Sequence, residues 1–399
     1  MSHVLDLTQE ERQAQIVAEA ERFAEVQIGP RAREFDEAGA LADDLIQDMA
    51  NRGYLTANLA TEYGGLGLDP VHYGLFQQAI GKADCATRTL ITVHSALCGE
   101  SLLRWGTEEQ KQLWLPRMAK GETLAAFALS EPNVGTDAKS VETRYRKVGD
   151  TYVLNGKKKW ISFGDKADLF VVIAGNDQGQ VSAFLVERDF PGVTTTPLMG
   201  MLAGRATHIA MIEFDNVGVP AANLVGMEGG GFTYVVSTAL DHGRYSIAWA
   251  GVSIAQEAVD QMVSYARERK QFGKRLAEFQ LIKGLIADAT TETHAARALC
   301  LKAGEMRKNK AQDAVMETTM AKYFASKVAM KVATDCVQVH GGNGCISDYP
   351  AERLFREAKM LEIIEGTSQI QQEIISGYAL RKYISDKETC ANVDVAKVR

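Results

Sequence analysis

The first information in this sequence is what it lacks. No run of 18 or more apolar residues occurs in the 399-residue chain, so we expect no transmembrane helix. Residues 1–15 are polar and acidic, which is typical of neither a signal peptide nor a transit peptide. Basic residues are dispersed and the formal net charge is −7, which argues against nucleic acid as the main partner. A cytoplasmic globular protein is therefore expected.

Motifs of metal and nucleotide chemistry are also missing. The six cysteines show neither metal-ligand spacing nor a disulfide framework, and Cys98, Cys300 and Cys336 fall in apolar segments as packing residues. The seven histidines are scattered without an HExxH motif, so no metal site is expected. There is no Walker A or GxSxG motif, and the glycine-rich stretch at residues 64–69 does not follow a strand as a dinucleotide fingerprint would.

The residue patterns that are present divide the chain into three regions. Residues 1–122 have apolar positions spaced by three and four, the pattern of amphipathic helices. Residues 123–232 contain short alternating runs of β-branched residues, with Gly149-Asp150 and Asn155-Gly156 as predicted turns. Residues 233–399 return to long helical periods. We predict an α+β fold: an N-terminal α-helical domain, a middle β-barrel or sandwich domain and a C-terminal four-helix bundle.

Two segments of the middle region could contact a flat polar ligand. FALSEPNVGTDA, at residues 127–138, could aim backbone N–H groups and hydroxyls at a heterocycle or a phosphate. Taken alone, a surface turn is the better interpretation of that loop. KKKWISFG, at residues 157–164, places Trp160 where an indole could cover a cofactor. Taken alone, a buried structural tryptophan is the better interpretation of that segment.

Two further segments lie in the helical C-terminal region. The basic residues within 266–280 suit a pyrophosphate, although cations at a solvated helix end are an equal alternative. QVHGGNGC, at residues 338–345, ends a predicted helix with Gly341 and Gly342. This glycine pair allows either a close backbone approach to a ligand or a plain helix C-cap.

Together these segments resemble one family in their order and spacing. FALSEPNVGTDA, WIS, LDHGRYSIA, YARERKQFGKRLAEFQ, QVHGGNG and EGTSQIQ resemble the motifs of the acyl-CoA dehydrogenases along nearly the whole chain. The resemblance implies FAD as cofactor, a homotetramer, and an electron-transfer flavoprotein as acceptor. It assigns the flavin contacts to Phe127, Leu129, Ser130, Gly135, Thr136, Trp160 and Ser162. A second set, which in the family holds the FAD of a neighbouring subunit, is Arg269, Gln280, Gln338, Gly341 and Gly342. Thr367 and Gln369 also match FAD contacts.

The resemblance further implies the chemistry. Glu365 is assigned as the catalytic base that removes the α proton of an acyl-CoA thioester, while a hydride passes from the β carbon to flavin N5. The product is a trans-2-enoyl thioester. The residues assigned to substrate binding are Thr136, Asp241, Arg244 and Gly366. A water-poor cleft is expected to raise the pKa of the base toward neutrality.

Two other positions compete for the role of base. Some family members carry the base just before the arginine of the LDxxR motif, but this chain has Gly243 there. Glu362 lies three residues before Glu365, and we expect it to point along the preceding helix turn. Locally, Gly366 is predicted to end one helix, and Ser368 to begin the next with a capping box to Gln371.

One departure from the family leaves the substrate carrier open. Many members have a Ser-Asp-Thr-Arg-like stretch that touches the thioester carrier, whereas residues 207–210 here are Thr, His, Ile and Ala. An acyl group attached to an acyl carrier protein is therefore the main alternative to CoA. A flavin oxidase that uses oxygen and a non-catalytic flavin-binding scaffold are further alternatives, although a glutamate base disfavours the first and the retained motifs disfavour the second.

Overall fold

The computed structural model of the chain describes residues 7–395, with side chains described up to residue 382. The N-terminal region is helical. Its helices are α1 (Gln9–Phe23), α2 (Ala32–Ala38), α3 (Asp43–Asn51), α4 (Pro70–Ala83), α5 (Cys85–Ile91), α6 (Glu100–Trp105) and α7 (Glu108–Ala119). Capping boxes begin α1 at Thr8 and α7 at Thr107, where each threonine hydroxyl accepts a hydrogen bond from the third helical N–H.

The helices α5 and α6 belong to one longer rod. A π-helical segment, Thr92–Gly99, joins them without a break. The wider π turn is rare and occurs often at functional sites. All eight residues of this segment are buried, and the imidazole Nδ1 of His94 accepts a hydrogen bond of 3.1 Å from the backbone N–H of Ala125. The rod therefore links the N-terminal helices to the first strand of the middle region.

The middle region is a β-sheet. Its strands are β1 (Ala125–Ala128), β2 (Arg144–Val148), β3 (Thr151–Ile161), β4 (Leu169–Gly175), β5 (Val181–Glu187), β6 (Val193–Pro197), β7 (Ala210–Pro220) and β8 (Leu224–Val225). The sheet order is β6-β7-β3-β2-β4-β5-β8, and β1 pairs with β4 in parallel. β4 is buried along its whole length, and it forms the centre of this part of the core.

One of the two predicted turns is present and the other is wrong. Gly149-Asp150 connects β2 to β3 as predicted. Asn155-Gly156 instead lies inside β3, where the pairing with β7 slips by one residue as a β-bulge. Gly156 has φ 147°, and a Cβ there would lie 2.6 Å from the Cα of Thr143. The glycine therefore serves close packing within a long strand rather than a chain reversal.

The C-terminal region returns to long helices. They are α8 (Ser237–Glu268), α9 (Gln280–Lys308), α10 (Ala314–His340), α11 (Ala351–Leu361) and α12 (Ser368–Val395), with a small hairpin of β9 (Lys270–Gln271) and β10 (Lys274–Arg275) between α8 and α9. α8 packs closely on α10 at Gly251: a Cβ there would lie 2.7 Å from the backbone of Ala325, so only glycine fits this approach. α4 also packs against α8, so the bundle and the N-terminal helices share a core.

The predicted fold class is confirmed: helices precede and follow a central sheet. Cys98, Cys300 and Cys336 are buried, as their apolar surroundings in the sequence predict. Among the helices that the structure describes, none combines the length and hydropathy that crossing a bilayer requires.

Candidate active site

Glu365 lies in a short connection between α11 and α12 with an unusual backbone. Its φ is 52° and that of Gly366 is 90°, so two consecutive residues adopt the left-handed region. For a non-glycine residue this conformation costs on the order of 1 to 3 kcal/mol and persists only where surrounding contacts hold it. Lys322 Nζ donates to the Gly366 carbonyl at 2.6 Å, and Arg244 Nε donates to the Glu365 carbonyl at 3.4 Å. α8 and α10 therefore hold the strained connection.

The predicted capping box at the start of α12 is wrong. Thr367 supplies the cap, since its hydroxyl accepts a hydrogen bond of 3.3 Å from the N–H of Ile370. Gln371 is fully buried, and its amide donates at 3.2 Å to each of the carbonyls of Glu365 and Gly366. The left-handed residues leave these carbonyls without helical partners, and the amide satisfies them.

Glu365 is half-buried, and one oxygen of its carboxyl group is enclosed. Its Oε2 atom is inaccessible to solvent and has no hydrogen-bond partner among the described residues. Burial raises the pKa of Glu365 to about 7, against the opposing positive charges of Arg244, Lys322 and Arg88. A carboxyl group with a pKa near neutrality is suited to act as a general base.

The structure shows where the two competing positions for a base, Glu362 and Gly243, lie relative to Glu365. Glu362 forms an ion pair with Lys359, with 2.7 Å between Oε2 and Nζ, and so is directed along its own helix turn as predicted. Gly243 lies directly against Glu365: a Cβ there would be 2.4 Å from Oε2. A carboxylate carried at position 243 would therefore occupy the space that the Glu365 carboxyl fills in this chain.

The cations around Glu365 lack acidic partners. Neither Arg244 nor Lys322 forms an ion pair within 4.0 Å among the described residues. Burial lowers the pKa of Arg244, and it lowers the pKa of Lys322 to about 8. Asp241 is already occupied, because it accepts a hydrogen bond of 2.8 Å from Arg307. Its assignment to substrate binding stays a prediction.

The loop at residues 127–138 is held by a buried ion pair that the sequence reading missed. Lys158 is fully buried, and its ammonium group lies 2.6 Å from Glu131 and 3.0 Å from the Leu129 carbonyl. Burial alone would raise the pKa of Glu131, but the charge of Lys158 and the hydrogen bonds to the carboxylate outweigh it and lower that pKa. Lys158 falls at an inward-facing position in the alternating pattern of β3, and Glu131 is an acidic residue of the loop motif. These two features are the sequence signal from which the ion pair could have been predicted.

The residues assigned to a flavin present an open and polar surface next to this pair. Trp160 is 50% exposed with φ 66°, so the alternative of a buried structural tryptophan is wrong. Leu129, Ser130 and Ser162 are half-buried, while Gly135 and Thr136 are exposed and a Cβ on Gly135 would meet no atom within 4 Å. Phe127 is buried within β1. An accessible indole beside hydroxyls and an open glycine fits a planar heterocycle such as a flavin.

The second predicted set lies at a different end of the molecule. Arg269 follows the last residue of α8 and Gln280 begins α9, while Gln338 lies near the end of α10; all are exposed. Tyr265 stacks on His340 with 4.3 Å between the ring centroids, which brings the ends of α8 and α10 together.

Gly341 and Gly342, also of this set, are open, because a Cβ on either would meet no atom within 4 Å. Gln338 is sixteen residues beyond Lys322 on α10, or about 24 Å along the helix. A single chain therefore does not bring this second set to Glu365. Thr367 is half-buried at the start of α12, and Gln369 is exposed.

Comparison with known proteins identifies the family. The models for the acyl-CoA dehydrogenase N-terminal, middle and C-terminal domains match residues 10–122, 126–217 and 229–379. An acyl-CoA dehydrogenase of Bacillus subtilis is 38% identical over 362 residues, which are 90% of this chain and 95% of that protein. A caffeyl-CoA reductase-Etf complex subunit of Acetobacterium woodii is 35% identical over 356 residues, 88% of this chain and 93% of that protein.

Solved structures agree. Butyryl-CoA dehydrogenase from Megasphaera elsdenii is similar with a TM-score of 0.89 and 34% identity, covering 94% of this chain and all of that one. A prolyl acyl carrier protein oxidase is similar with a TM-score of 0.88 and 29% identity, covering 92% and 98%. The chain belongs to the acyl-CoA dehydrogenase family of flavin-dependent oxidoreductases.

Proposed function

We propose that this protein catalyses the α,β-dehydrogenation of an acyl thioester, with Glu365 as the base that removes the α proton. The observation that carries the proposal is the half-buried Glu365: its Oε2 atom is enclosed without a hydrogen-bond partner among the described residues, and burial raises its pKa to about 7. A base with that pKa is half ionised near neutral pH and has no competing hydrogen bond to break before it accepts a proton.

The surrounding residues of the chain position this base. Lys322, Arg244 and Gln371 bind the carbonyls of Glu365 and Gly366, so the carboxyl group is held from a rigid connection rather than a mobile loop. FAD would lie against Trp160 and the loop that the Glu131–Lys158 pair holds. When bound, it supplies the acceptor for the hydride that leaves the β carbon as the trans-2-enoyl thioester forms.

The carrier of the acyl group has two candidates. The family name favours CoA. The buried character of residues 207–210 favours an acyl carrier protein instead: Thr207 donates to the Gly204 carbonyl at 2.6 Å, and the His208 ring lies 3.2 Å from Asp165. This stretch therefore presents no free charge to a nucleotide, and the similar prolyl acyl carrier protein oxidase supports the same alternative. It also supports oxygen as an alternative acceptor.

An electron-transfer flavoprotein is the acceptor that we propose, as in the Etf-containing complex of the Acetobacterium relative. We further propose a cytoplasmic homotetramer in which the exposed set at the end of the bundle, including Arg269 and Gln338, contacts FAD bound to a neighbouring copy. The separation of about 24 Å within one chain supports contribution from a second copy.

The test is anaerobic bleaching of the bound flavin. The purified holoprotein is mixed with saturated acyl groups of increasing length, each attached to CoA, to pantetheine and to an acyl carrier protein. Loss of the oxidised flavin spectrum together with formation of the 2-enoyl thioester supports the proposal. A protein that binds FAD but is reduced by no thioester of any carrier would overturn it.

A further inference from the structure

A cavity of about 370 Å³ lies where the N-terminal helices meet the C-terminal bundle. Binding sites for small molecules usually measure about 300 to 1,000 Å³, so this volume admits a small ligand. None of the residues assigned to the flavin, to the base or to the thioester lines the cavity. Its apolar lining consists of small residues, which leave the space open: Ala24, Gly29, Ala79, Ala83 and Pro350.

Two of the helices that bound the cavity also reach the candidate active site. α8 contributes Glu257, which lies fourteen residues beyond Gly243, or about 21 Å along the helix. α11 contributes Arg353 and ends just before the connection that carries Glu365. A ligand in the cavity would therefore contact both helices without touching the base.

Arg353 is a half-buried cation without a counter-charge at close range. It forms no ion pair within 4.0 Å and no hydrogen bond among the described residues. Its charge acts at longer range on Asp84 and on Glu257. Asp84 is already engaged, because its carboxylate accepts hydrogen bonds from the backbone N–H of Thr87 at 2.7 Å and from its hydroxyl at 2.8 Å. The guanidinium of Arg353 is therefore available to bind an anion.

Glu257 brings the opposite charge to the same cavity. Its carboxylate accepts a hydrogen bond of 2.7 Å from the Gln261 amide, and it forms no ion pair within 4.0 Å among the described residues. Burial raises the pKa of Glu257, while the hydrogen bond from Gln261 and the charge of Arg353 oppose the shift. Arg353 is thus near enough to influence Glu257 but too far away to pair with it, which leaves a gap between the two charges.

The other charged side chains of the lining do not fill this gap. Lys82 and Arg33 each pair with an aspartate, at 2.6 and 2.9 Å. Glu21 and Glu25 are exposed, and neither forms an ion pair within 4.0 Å in the described part of the chain. The unpaired charges of the lining are therefore one arginine and three glutamates. A purely anionic ligand would be repelled by the glutamates, and a purely cationic one would leave the arginine without an anion.

We propose that this cavity binds a small zwitterion, with its carboxylate on Arg353 and its ammonium group on Glu257. Amino acids and ω-amino acids are the chemical class that supplies both charges in one small molecule. The site is independent of the proposed function, because it uses none of the residues placed at the base or the flavin. Because the ligand bridges α8 and α11 in the folded protein only, its binding raises the melting temperature.

Calorimetric titration and thermal melting of the purified holoprotein test the site. The probes are glycine, β-alanine, γ-aminobutyrate and ε-aminocaproate, in which the spacing between the two charges increases. Butyrate and butylamine carry the same charges on separate molecules and are the controls. We expect one spacing to bind with a dissociation constant below about 1 mM. Its affinity should exceed that of either control by at least about tenfold, as for the loss of a charge-assisted hydrogen bond.

Variants show whether the two charged side chains hold the probe. Arg353→Met and Glu257→Gln should each weaken zwitterion binding by at least about tenfold. Arg117→Met and Glu187→Gln are the matched controls, because both residues are half-buried, form no ion pair within 4.0 Å among the described residues and lie outside the cavity lining. Both control variants should bind as the parent does. Arg353→Lys keeps the charge and should bind more weakly than the parent but more tightly than Arg353→Met.

Three results would overturn the proposal. The first is binding of none of the four zwitterions, and the second is equally tight binding of butyrate or butylamine, which would show that one charge suffices. The third is unchanged binding in Glu257→Gln together with Arg353→Lys, which decides the matter even if Arg353→Met does not fold. None of these results bears on the dehydrogenase proposal, because flavin reduction by thioesters tests that proposal separately.

Discussion

Two buried cations, Lys158 in the middle region and Arg88 in the N-terminal region, carry their charge in different ways. Both are fully buried. Lys158 has the carboxylate of Glu131 at 2.6 Å, whereas Arg88 has hydroxyl groups and an unpartnered Nε–H. The first arrangement is complete within the chain and holds a loop. The second has no acidic partner among the described residues and is satisfied in part by the hydroxyl groups of Thr92 and Thr89.

The two carboxyl groups in these regions show the same difference. The pKa of Glu131 is lowered despite its burial, because the ion pair stabilises the ionised form. The pKa of Glu365 is raised to about 7, because burial outweighs the cations around it. Glu131 is thus permanently charged at neutral pH, while Glu365 can gain and lose a proton. Their surroundings give two identical side chains different protonation behaviour, which suits Glu131 to a structural role and Glu365 to the proposed role of base.

The largest expected effect is that of Glu365→Gln on catalysis. Flavin reduction by the best thioester should fall by about 10³- to 10⁴-fold, because the amide cannot accept the α proton. Stability should not fall: the folded-state pKa exceeds the unfolded one, so ionisation of Glu365 opposes folding as the pH rises through 7. Stopped-flow kinetics measures the rate of flavin reduction, and thermal melting at pH 8 measures the stability. Parental reduction rates would show that the base is elsewhere.

The same substitution in the other carboxyl group should act on stability instead. Glu131→Gln leaves Lys158 buried without its counter-charge, and the free energy of unfolding should fall by about 3 to 5 kcal/mol. The double variant Glu131→Gln/Lys158→Met should recover part of this loss. Urea unfolding and flavin content per chain are the measurements. If Glu131→Gln were as stable as the parent, the contrast between the two carboxyl groups would disappear.

A smaller effect is expected from Lys322→Met, which removes one cation facing the base. Because the charge of Lys322 lowers the pKa of Glu365, its loss should raise that pKa above its present value of about 7. Reduction rates fall below the pKa, where the base is protonated, so the acidic limb of the rate profile should move to higher pH. Stopped-flow rates between pH 5.5 and 9.5 test this shift.

The control for this variant is Lys327→Met on the same helix, where the lysine is exposed and contacts the Tyr323 hydroxyl at 3.3 Å. Its pH profile should overlay that of the parent. A deficit in Lys322→Met that persists at pH 9 would report the lost hydrogen bond to the Gly366 carbonyl. An unmoved limb would mean that Lys322 does not act on the base electrostatically.

The smallest effect is expected from Glu362→Gln. Its ion pair with Lys359 lies on the surface side of α11, with the lysine side chain 48% exposed, and such pairs contribute little. Reduction rates should stay within about twofold of the parent, which makes this variant the control for Glu365→Gln. A large loss in Glu362→Gln would contradict the separation of the two glutamates.

Much of the fold could be predicted from local pattern, and the failures have local causes. The periods of three to four and of two residues predicted the helical and strand regions correctly. The Asn155-Gly156 pair was wrongly predicted as a turn because the same two residues also suit a bulge, and only the partner strand distinguishes them. The capping box to Gln371 failed because that amide serves the strained carbonyls of the preceding connection.

The sequence by itself determined the order of helices and strands, the family, and the break in the helices that presents Glu365. These features are encoded in neighbouring residues, where spacing and turn chemistry act directly. Tertiary structure alone decided the charge states: the pairing of Lys158 with Glu131, the raised pKa of Glu365, and the isolation of Arg88. The physical reason is that desolvation and Coulomb interactions depend on distance in space. Lys158 meets Glu131 only when β3 packs against the loop after β1, and the groups around Glu365 meet only when α5, α8, α10 and the connection before α12 have packed together.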